Sequence, residues 1–87
     1  MTAAYRVLVS TRVRKQIARI DRSDQLRIRA ALDLLATEPR PPKCVPLGGV
    51  ESTYRVSVGD YRILYSVHDD IRVIAVIRVG HRREVYR

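Results

Sequence analysis

The chain has 87 residues, enough for one small domain (1–87) with a limited hydrophobic core. Its net charge of +8, carried mostly by arginine, indicates that it binds a polyanion, an acidic protein or both. Its single cysteine, Cys44, excludes an intrachain disulfide or a multi-cysteine metal site. No apolar run approaches the roughly 18 residues of a membrane span, so we expect a soluble cytoplasmic protein with no membrane partner.

The first third of the chain predicts a strand followed by two helices. Residues 5–9 have the composition and alternation of a strand, and Ser10 is a good N-cap for a helix after it. The apolar side chains of that helix form one stripe, which comprises Val13, Ile17 and Ile20. After a break at 21–23, a second helix should end before Pro39. Two helices joined by so short a connection should form an antiparallel helical hairpin.

The rest of the chain predicts a loop and a three-stranded meander. All four prolines and two glycines lie in 39–49, which favours a loop of restricted conformation. Three strands then follow at 54–58, 61–67 and 71–79, and the third is apolar on both faces, as a central strand would be. The element order is therefore β-α-α-β-β-β. We expect an α+β fold in which the helical hairpin covers one face of a small, mainly antiparallel sheet.

The turn between the first two meander strands fixes which side chains share a face. The Gly-Asp pair there suits a two-residue hairpin loop, which sets Arg55 opposite Leu64 and Ser57 opposite Arg62. Both arginines then project from one face, and the other face should pack in the core. The core face carries Tyr54, Tyr61 and Tyr65. The face of Arg78 stays open, because it depends on the length of the turn after the second strand.

Basic and titratable side chains are concentrated in the meander and in the tail that follows it. Arginines can stabilise the extra negative charge of a pentacoordinate phosphate while another group takes the proton of an attacking 2′-hydroxyl, without a metal. Arginine itself stays protonated and cannot be that base. Tyr86 can, because neighbouring guanidinium groups favour the phenolate, and His81 and Glu84 are further titratable candidates. A basic groove that only binds nucleic acid would fit the same spacing.

Two segments of the chain resemble the RelE branch of the RelE/ParE toxin superfamily: 54–65, YRVSVGDYRILY, and 78–86, RVGHRREVY. The length, the element order and the proline-rich loop agree as well. The resemblance implies a toxin of a bacterial type II toxin-antitoxin pair that enters the ribosomal A site and cuts mRNA. It also implies that an acidic, partly helical, RelB-like antitoxin silences the toxin in a hetero-oligomer. The expected targets are the ribosome and mRNA, and no cofactor or metal is expected.

The resemblance also implies roles for individual residues. Arg55 matches a basic residue near the scissile phosphate, and Arg62 matches the arginine that binds and polarises it. Arg82 matches an arginine that acts at the leaving group or in charge stabilisation. Tyr86 matches a tyrosine that stacks on the substrate base and helps to activate the 2′-hydroxyl. With His81, these residues form the expected catalytic set.

One position departs from the pattern of the family. Ser57 stands where the best-known relatives carry a second lysine, so one charge is missing. Either turnover is slower, or the charge is replaced from His81, Arg83 or Arg78. The cations that we expect to bind RNA outside the catalytic set are Arg40, Lys43, Arg78 and Arg83.

Two other functions are compatible with the sequence. The ParE-like branch of the same superfamily inhibits DNA gyrase without catalysis, although its members generally lack the combination of Arg62, Arg82 and Tyr86. The second of these functions is that of a basic domain that only binds RNA.

Overall fold

The computed structural model describes residues 4–49 and 51–85, which form two helices and five strands. In chain order the elements are β1 (Arg6–Val9), α1 (Thr11–Ala18), α2 (Arg22–Thr37), β2 (Val45–Pro46), β3 (Thr53–Val58), β4 (Tyr61–His68) and β5 (Val73–His81). The strands form one sheet in the order β1-β5-β4-β3-β2. β1 and β5 are parallel and the other neighbouring pairs are antiparallel, which confirms the predicted α+β class and mainly antiparallel sheet. Neither helix in this part of the chain is long and apolar enough to cross a bilayer.

The two helices pack on one face of the sheet, and α1 does so through the apolar stripe that the sequence predicts. The Ser10 hydroxyl caps α1 by accepting a hydrogen bond from the Val13 amide at 3.2 Å. The helices contribute four buried side chains, namely Val13, Ile28, Leu32 and Leu35. On the sheet they meet Val56, Ile63, Tyr65, Val67, Ile74, Val76 and Val79. We call the opposite face of the sheet, which faces away from both helices, the open face.

The β3–β4 hairpin has the predicted register. Arg55 lies opposite Leu64 and Ser57 opposite Arg62. Gly59 has a φ of 58°, the left-handed conformation that a type II′ turn requires at its first central position. The three tyrosines of the hairpin lie on the helix side, as predicted, where Tyr54 and Tyr61 are half-buried and Tyr65 fully buried. A hairpin with strict alternation and a glycine at its turn has few alternative registers.

Two features of the sheet differ from the prediction. The proline-rich segment contains the short strand β2, in which Val45 pairs with Arg55. A strand of two residues has no periodicity that a sequence could reveal. β5 begins at Val73 rather than Ile71, because the turn after β4 extends to Arg72, whose φ is 54°. The strand is central in the sheet, as predicted, and continues past its expected end to His81.

An ion-pair cluster joins the proline-rich loop to the β4–β5 turn. Asp69 accepts two hydrogen bonds from Arg40, at 2.7 and 3.1 Å, and one from the Tyr5 hydroxyl at 2.6 Å. Arg40 also donates to the Tyr54 hydroxyl at 2.9 Å. The hydrogen bonds from Arg40, followed by that from Tyr5, lower the pKa of the Asp69 carboxyl from 3.8 to about 2. The cluster thus fixes the loop against the end of the sheet.

Candidate active site

Three arginines project from the open face, one from each of three neighbouring strands. Arg55 of β3 and Arg78 of β5 both pair with Leu64 of β4, from opposite sides. Arg62 lies two residues earlier on β4, where it pairs with Gly80. Because directly paired residues share a sheet face, the three guanidinium groups lie on the same side. All three side chains are half-buried, so the sheet restricts their motion while leaving them accessible.

A β-bulge in β5 places Arg78 on this face. The register against β4 shifts by one residue between Val76 and Arg78, and Ile77 is the extra residue. Ile74 and Val76, before the bulge, lie in the core. In a regular strand of the same sequence with no bulge, Arg78 would share the face of Ile74 and Val76, since strand side chains alternate with a period of two. The bulge therefore decides the question that the sequence leaves open.

Two arginines meet at the turn of the β3–β4 hairpin. The guanidinium group of Arg62 donates from Nη1 to the carbonyls of Gly59 and Tyr61, at 3.1 and 3.0 Å. The Arg82 amide donates to the carbonyl of Asp60 at 2.8 Å, and its Nε lies 3.9 Å from a carboxylate oxygen of the same residue. Arg62 and Arg82 therefore both contact the turn of the β3–β4 hairpin, and their catalytic roles stay predictions.

The chain after β5 folds back onto the open face as a tight turn, residues 81–85, which we call the tail turn. Two backbone hydrogen bonds to the carbonyl of His81, at 2.8 and 3.0 Å, close it. Val85 is only 2% exposed and packs on Gly80, where an added Cβ would lie 3.8 Å from it. Since Gly80 is the strand partner of Arg62, the tail turn forms a wall beside that arginine.

Arg78 links the tail turn to the part of the open face that carries Arg55, Arg62 and Arg78, which we call the arginine face. Its Nη2 donates to the carbonyl of Glu84 at 3.0 Å. Tyr86 follows the tail turn in sequence and lies outside the described residues. Its stacking and activating role stays a prediction.

His81 is placed differently from the arginines. It pairs with Tyr61, whose ring lies on the helix side, and the two rings meet edge to face with centroids 5.7 Å apart. The Nδ1 atom accepts a hydrogen bond from the Arg83 amide at 3.2 Å, so the neutral ring carries its proton on Nε2. The structure therefore does not bring the His81 ring to the face that carries Arg62.

The remaining predicted RNA-binding cations lie around the site at different distances. Arg40 is engaged by Asp69 at the far end of β4 from Arg62, about 20 Å along the strand. Lys43 is exposed in the loop that leads into β2, the strand beside Arg55. Arg83 is exposed in the tail turn, closer to the arginines. The RNA-binding role of each stays a prediction.

A groove of about 600 Å³ lies between α1 and the end of β5. Helix α1 contributes three cations to it, namely Arg12, Lys15 and Arg19, together with Gln16. Gln16 accepts a hydrogen bond from the Val79 amide at 3.0 Å. No feature of the sequence marks Gln16, because a polar residue on an amphipathic helix gives no signal of a partner distant in sequence.

The arrangement is suited to one kind of chemistry. Guanidinium groups stay protonated and present planar sets of donors to phosphate oxygens. Arg55, Arg62 and Arg78, with Arg82 at the edge, can therefore hold a phosphodiester and stabilise additional negative charge on it. None of them can act as a base.

Comparison with known proteins identifies one superfamily. A family model described as "ParE toxin of type II toxin-antitoxin system, parDE" matches residues 7–86. The chain is also 27% identical over 86 residues to the protein of Methanocaldococcus jannaschii that carries the toxin name RelE1, covering 95% of this chain and 96% of the relative.

Solved structures of RelE toxins share the fold over almost their whole length. A chain of the RelE–RelB complex from Pyrococcus horikoshii OT3 matches with a TM-score of 0.83 and 29% identity, covering 94% of this chain and 99% of that one. The isolated RelE toxin of E. coli matches with a TM-score of 0.80 and 28% identity, covering 95% and 92%. The family model and these relatives span nearly the same residues, and the chain therefore belongs to the RelE/ParE superfamily of type II toxin-antitoxin toxins.

Proposed function

We propose that this toxin is a ribosome-dependent endoribonuclease that cuts mRNA in the ribosomal A site and so inhibits translation. The observation that carries the proposal is that Arg55, Arg62 and Arg78 project from one sheet face, with Arg82 at its edge. A site for a phosphodiester needs such a concentration of fixed donors, whereas a gyrase inhibitor without catalysis does not. The similarity to proteins named RelE supports the same choice.

In the proposed reaction the 2′-hydroxyl oxygen attacks the adjacent phosphorus and the bond to the 5′-oxygen breaks. The products are a 2′,3′-cyclic phosphate, or the 3′-phosphate formed by its hydrolysis, and a 5′-hydroxyl. Negative charge grows on the phosphate oxygens in the transition state, and Arg62 is the guanidinium group that we assign to them. Arg82 stabilises the leaving 5′-oxygen, which takes up a proton from water to give the 5′-hydroxyl, and Arg55 holds the phosphate in place. A single positioned donor of this kind typically contributes roughly 10²–10³ in rate.

The proton of the 2′-hydroxyl needs an acceptor other than arginine. We assign this role to Tyr86, the residue that follows the tail turn in sequence, because guanidinium groups close to a tyrosine in general favour the phenolate over the phenol. His81 is the second candidate, but its ring packs against Tyr61 on the helix side of the sheet. A site without a dedicated pair of histidines depends on the ribosome to hold the 2′-hydroxyl in line with the phosphorus.

We also propose a RelB-like antitoxin as the cellular partner and the cytoplasm as the compartment. Matched structures include RelE in complex with RelB from several organisms. The net charge of +8 favours an acidic partner as well as RNA.

Programmed ribosomes with a defined A-site codon test the proposal. We expect the purified toxin to cut within that codon, and Arg62→Ala or Arg82→Ala to lower the single-turnover rate by about 10²-fold or more. Arg29→Ala is the matched control, because it removes an exposed arginine from α2 on the other side of the sheet. It should cut at the wild-type rate.

Mapping of mRNA 5′ ends after induction in cells separates the alternatives. Codon-phased cuts in translated messages support the nuclease. Growth arrest with DNA damage and no such cuts would identify a gyrase inhibitor instead. Full toxicity of both arginine variants would reject the catalytic assignment.

A further inference from the structure

The end of β5 lacks a strand neighbour on one side. β1 pairs with β5 from Arg6 opposite Val73 to Val9 opposite Val76, and the chain then turns into α1. β5 continues for five residues beyond that point, with β4 along one edge and α1 along the other. The bulge at Ile77 lies directly after Val76, the last residue of β5 that pairs with β1.

Gln16 provides the missing backbone contact. Its Oε1 accepts a hydrogen bond from the Val79 amide at 3.0 Å, across 63 positions of sequence. Gln16 is half-buried on α1, and the amide that it binds is the second after the bulge residue. A side chain from the helix thus replaces one bond of the β-ladder.

This contact has consequences for the arginine face. A bulged strand is held in register by the hydrogen bonds on either side of the bulge, and a slip of one residue moves each side chain to the other face. Arg78 lies between the bulge and the bonded amide of Val79, and it also donates to Glu84 in the tail turn. The position of β5 therefore determines where the guanidinium group of Arg78 lies. It also determines where the tail turn, which forms the wall of the site, lies.

We infer that Gln16 is a positioning residue for RNA cleavage, which acts through the backbone of β5 to keep Arg78 and the tail turn at the site. The inference rests on the proposed function, because positioning has meaning only where a reaction takes place. Gln16 itself lies on α1 and lines the same groove as Arg78, between α1 and the end of β5.

Three substitutions separate positioning from general stability. Gln16→Met keeps the length of the side chain but removes the amide acceptor. Gln16→Glu keeps an acceptor oxygen for the Val79 amide. Gln25→Met is the matched control, because Gln25 also makes a side-chain hydrogen bond to backbone, to the carbonyl of Ile20 at 2.7 Å, but in the α1–α2 connection.

Single-turnover cleavage on programmed ribosomes, at a range of ribosome concentrations, gives the main readout. We expect Gln16→Met to lower the saturated rate about tenfold or more while the half-saturating concentration changes little, since misplacement of reacting groups mainly slows the chemical step. Gln16→Glu should restore most of that rate, and Gln25→Met should match the wild type. Amide hydrogen exchange at Val79 should be faster in Gln16→Met and protected in Gln16→Glu.

A double-mutant cycle with Arg78→Ala tests the route of the effect. If Gln16 acts through Arg78, Gln16→Met should cost much less in the Arg78→Ala background than in the wild type. Equal losses in both backgrounds would show that Gln16 acts by another route and would overturn the inference. Should Gln16→Met fold poorly, Gln16→Asn, which keeps the amide but shortens its reach, gives the same comparison.

Two further outcomes distinguish failure of this inference from failure of the proposed function. A wild-type saturated rate in Gln16→Met, with faster exchange at Val79, overturns the inference and leaves the proposed function intact. No cleavage by the wild-type toxin on programmed ribosomes rejects the proposed function, and the positioning role with it.

Discussion

Replacement of Gly59 by alanine tests how strongly the hairpin turn supports the site. Gly59 has a φ of 58°, and an added Cβ would lie 3.2 Å from Nη1 of Arg27. Arg27 is a flexible side chain that is 60% exposed, so its guanidinium group can move by the few tenths of an ångström required. The backbone conformation is therefore the dominant cost, about 1–2 kcal/mol for an L-residue in the left-handed region.

For a domain of this size, each kcal/mol corresponds to about 4–8 °C in Tm. We therefore expect Gly59→Ala to lower Tm by roughly 5–15 °C and to reduce the urea midpoint without a change in m-value. Because the Gly59 carbonyl accepts a hydrogen bond from Arg62, we expect the cleavage rate to fall as well.

Two variants separate the effect of the left-handed backbone at Gly59 from the effect of replacing any glycine. Gly48→Ala adds a Cβ with no heavy atom within 4 Å and no left-handed backbone, so its stability should equal or slightly exceed that of the wild type. Gly59→Asn should lose less than Gly59→Ala, since asparagine tolerates the left-handed region. Equal stabilities of Gly59→Ala and Gly48→Ala would refute the reasoning.

Two further predictions concern charge. Asp69 has a folded-state pKa of about 2 against an ordinary value of 3.8, so its carboxylate should stabilise the fold fully above about pH 4 and lose that contribution as the pH falls toward 2. The urea midpoint of the wild type should thus exceed that of Asp69→Asn at pH 7 and converge with it near pH 2. Asp70→Asn is the control from the same turn, and a gap that persists at pH 2 would contradict the prediction. Ser57 is exposed and pairs with Arg62 on the open face, so Ser57→Lys should raise the saturated cleavage rate several-fold and Ser57→Glu should lower it. An unchanged rate in both Ser57 variants would show that this position does not face the phosphate.

Local signals account for the parts of the fold that the sequence predicts well. The β3–β4 register follows from strict alternation and from a glycine in the turn, both contained within twelve residues. The helices follow from their apolar stripes and from the N-cap at Ser10. The position of Arg62 on the open face follows from the hairpin register.

Features that depend on distant parts of the chain were not predictable. The face of Arg78 depends on a bulge in the pairing of β5 with β4, and no residue type in β5 marks it. The late start of β5 depends on the left-handed backbone at Arg72, where composition favours a strand. Arg40 is an arginine in a loop, and from sequence alone it is therefore a reasonable candidate for a phosphate ligand. Its partner Asp69 is 29 residues away, and only the fold brings the two together.

The parallel pairing of β1 with β5 has a consequence for the synthesis of the toxin. β1 precedes the other described elements in sequence, and its described strand partner is the last of them, β5, with Arg6 opposite Val73. Pairing across so large a separation in sequence is slow and comes late in folding. The same late segment carries Arg78 and Arg82. A nascent molecule therefore completes its arginine face only once β5 and the tail turn have been translated, although the β3–β4 hairpin can already have formed by then.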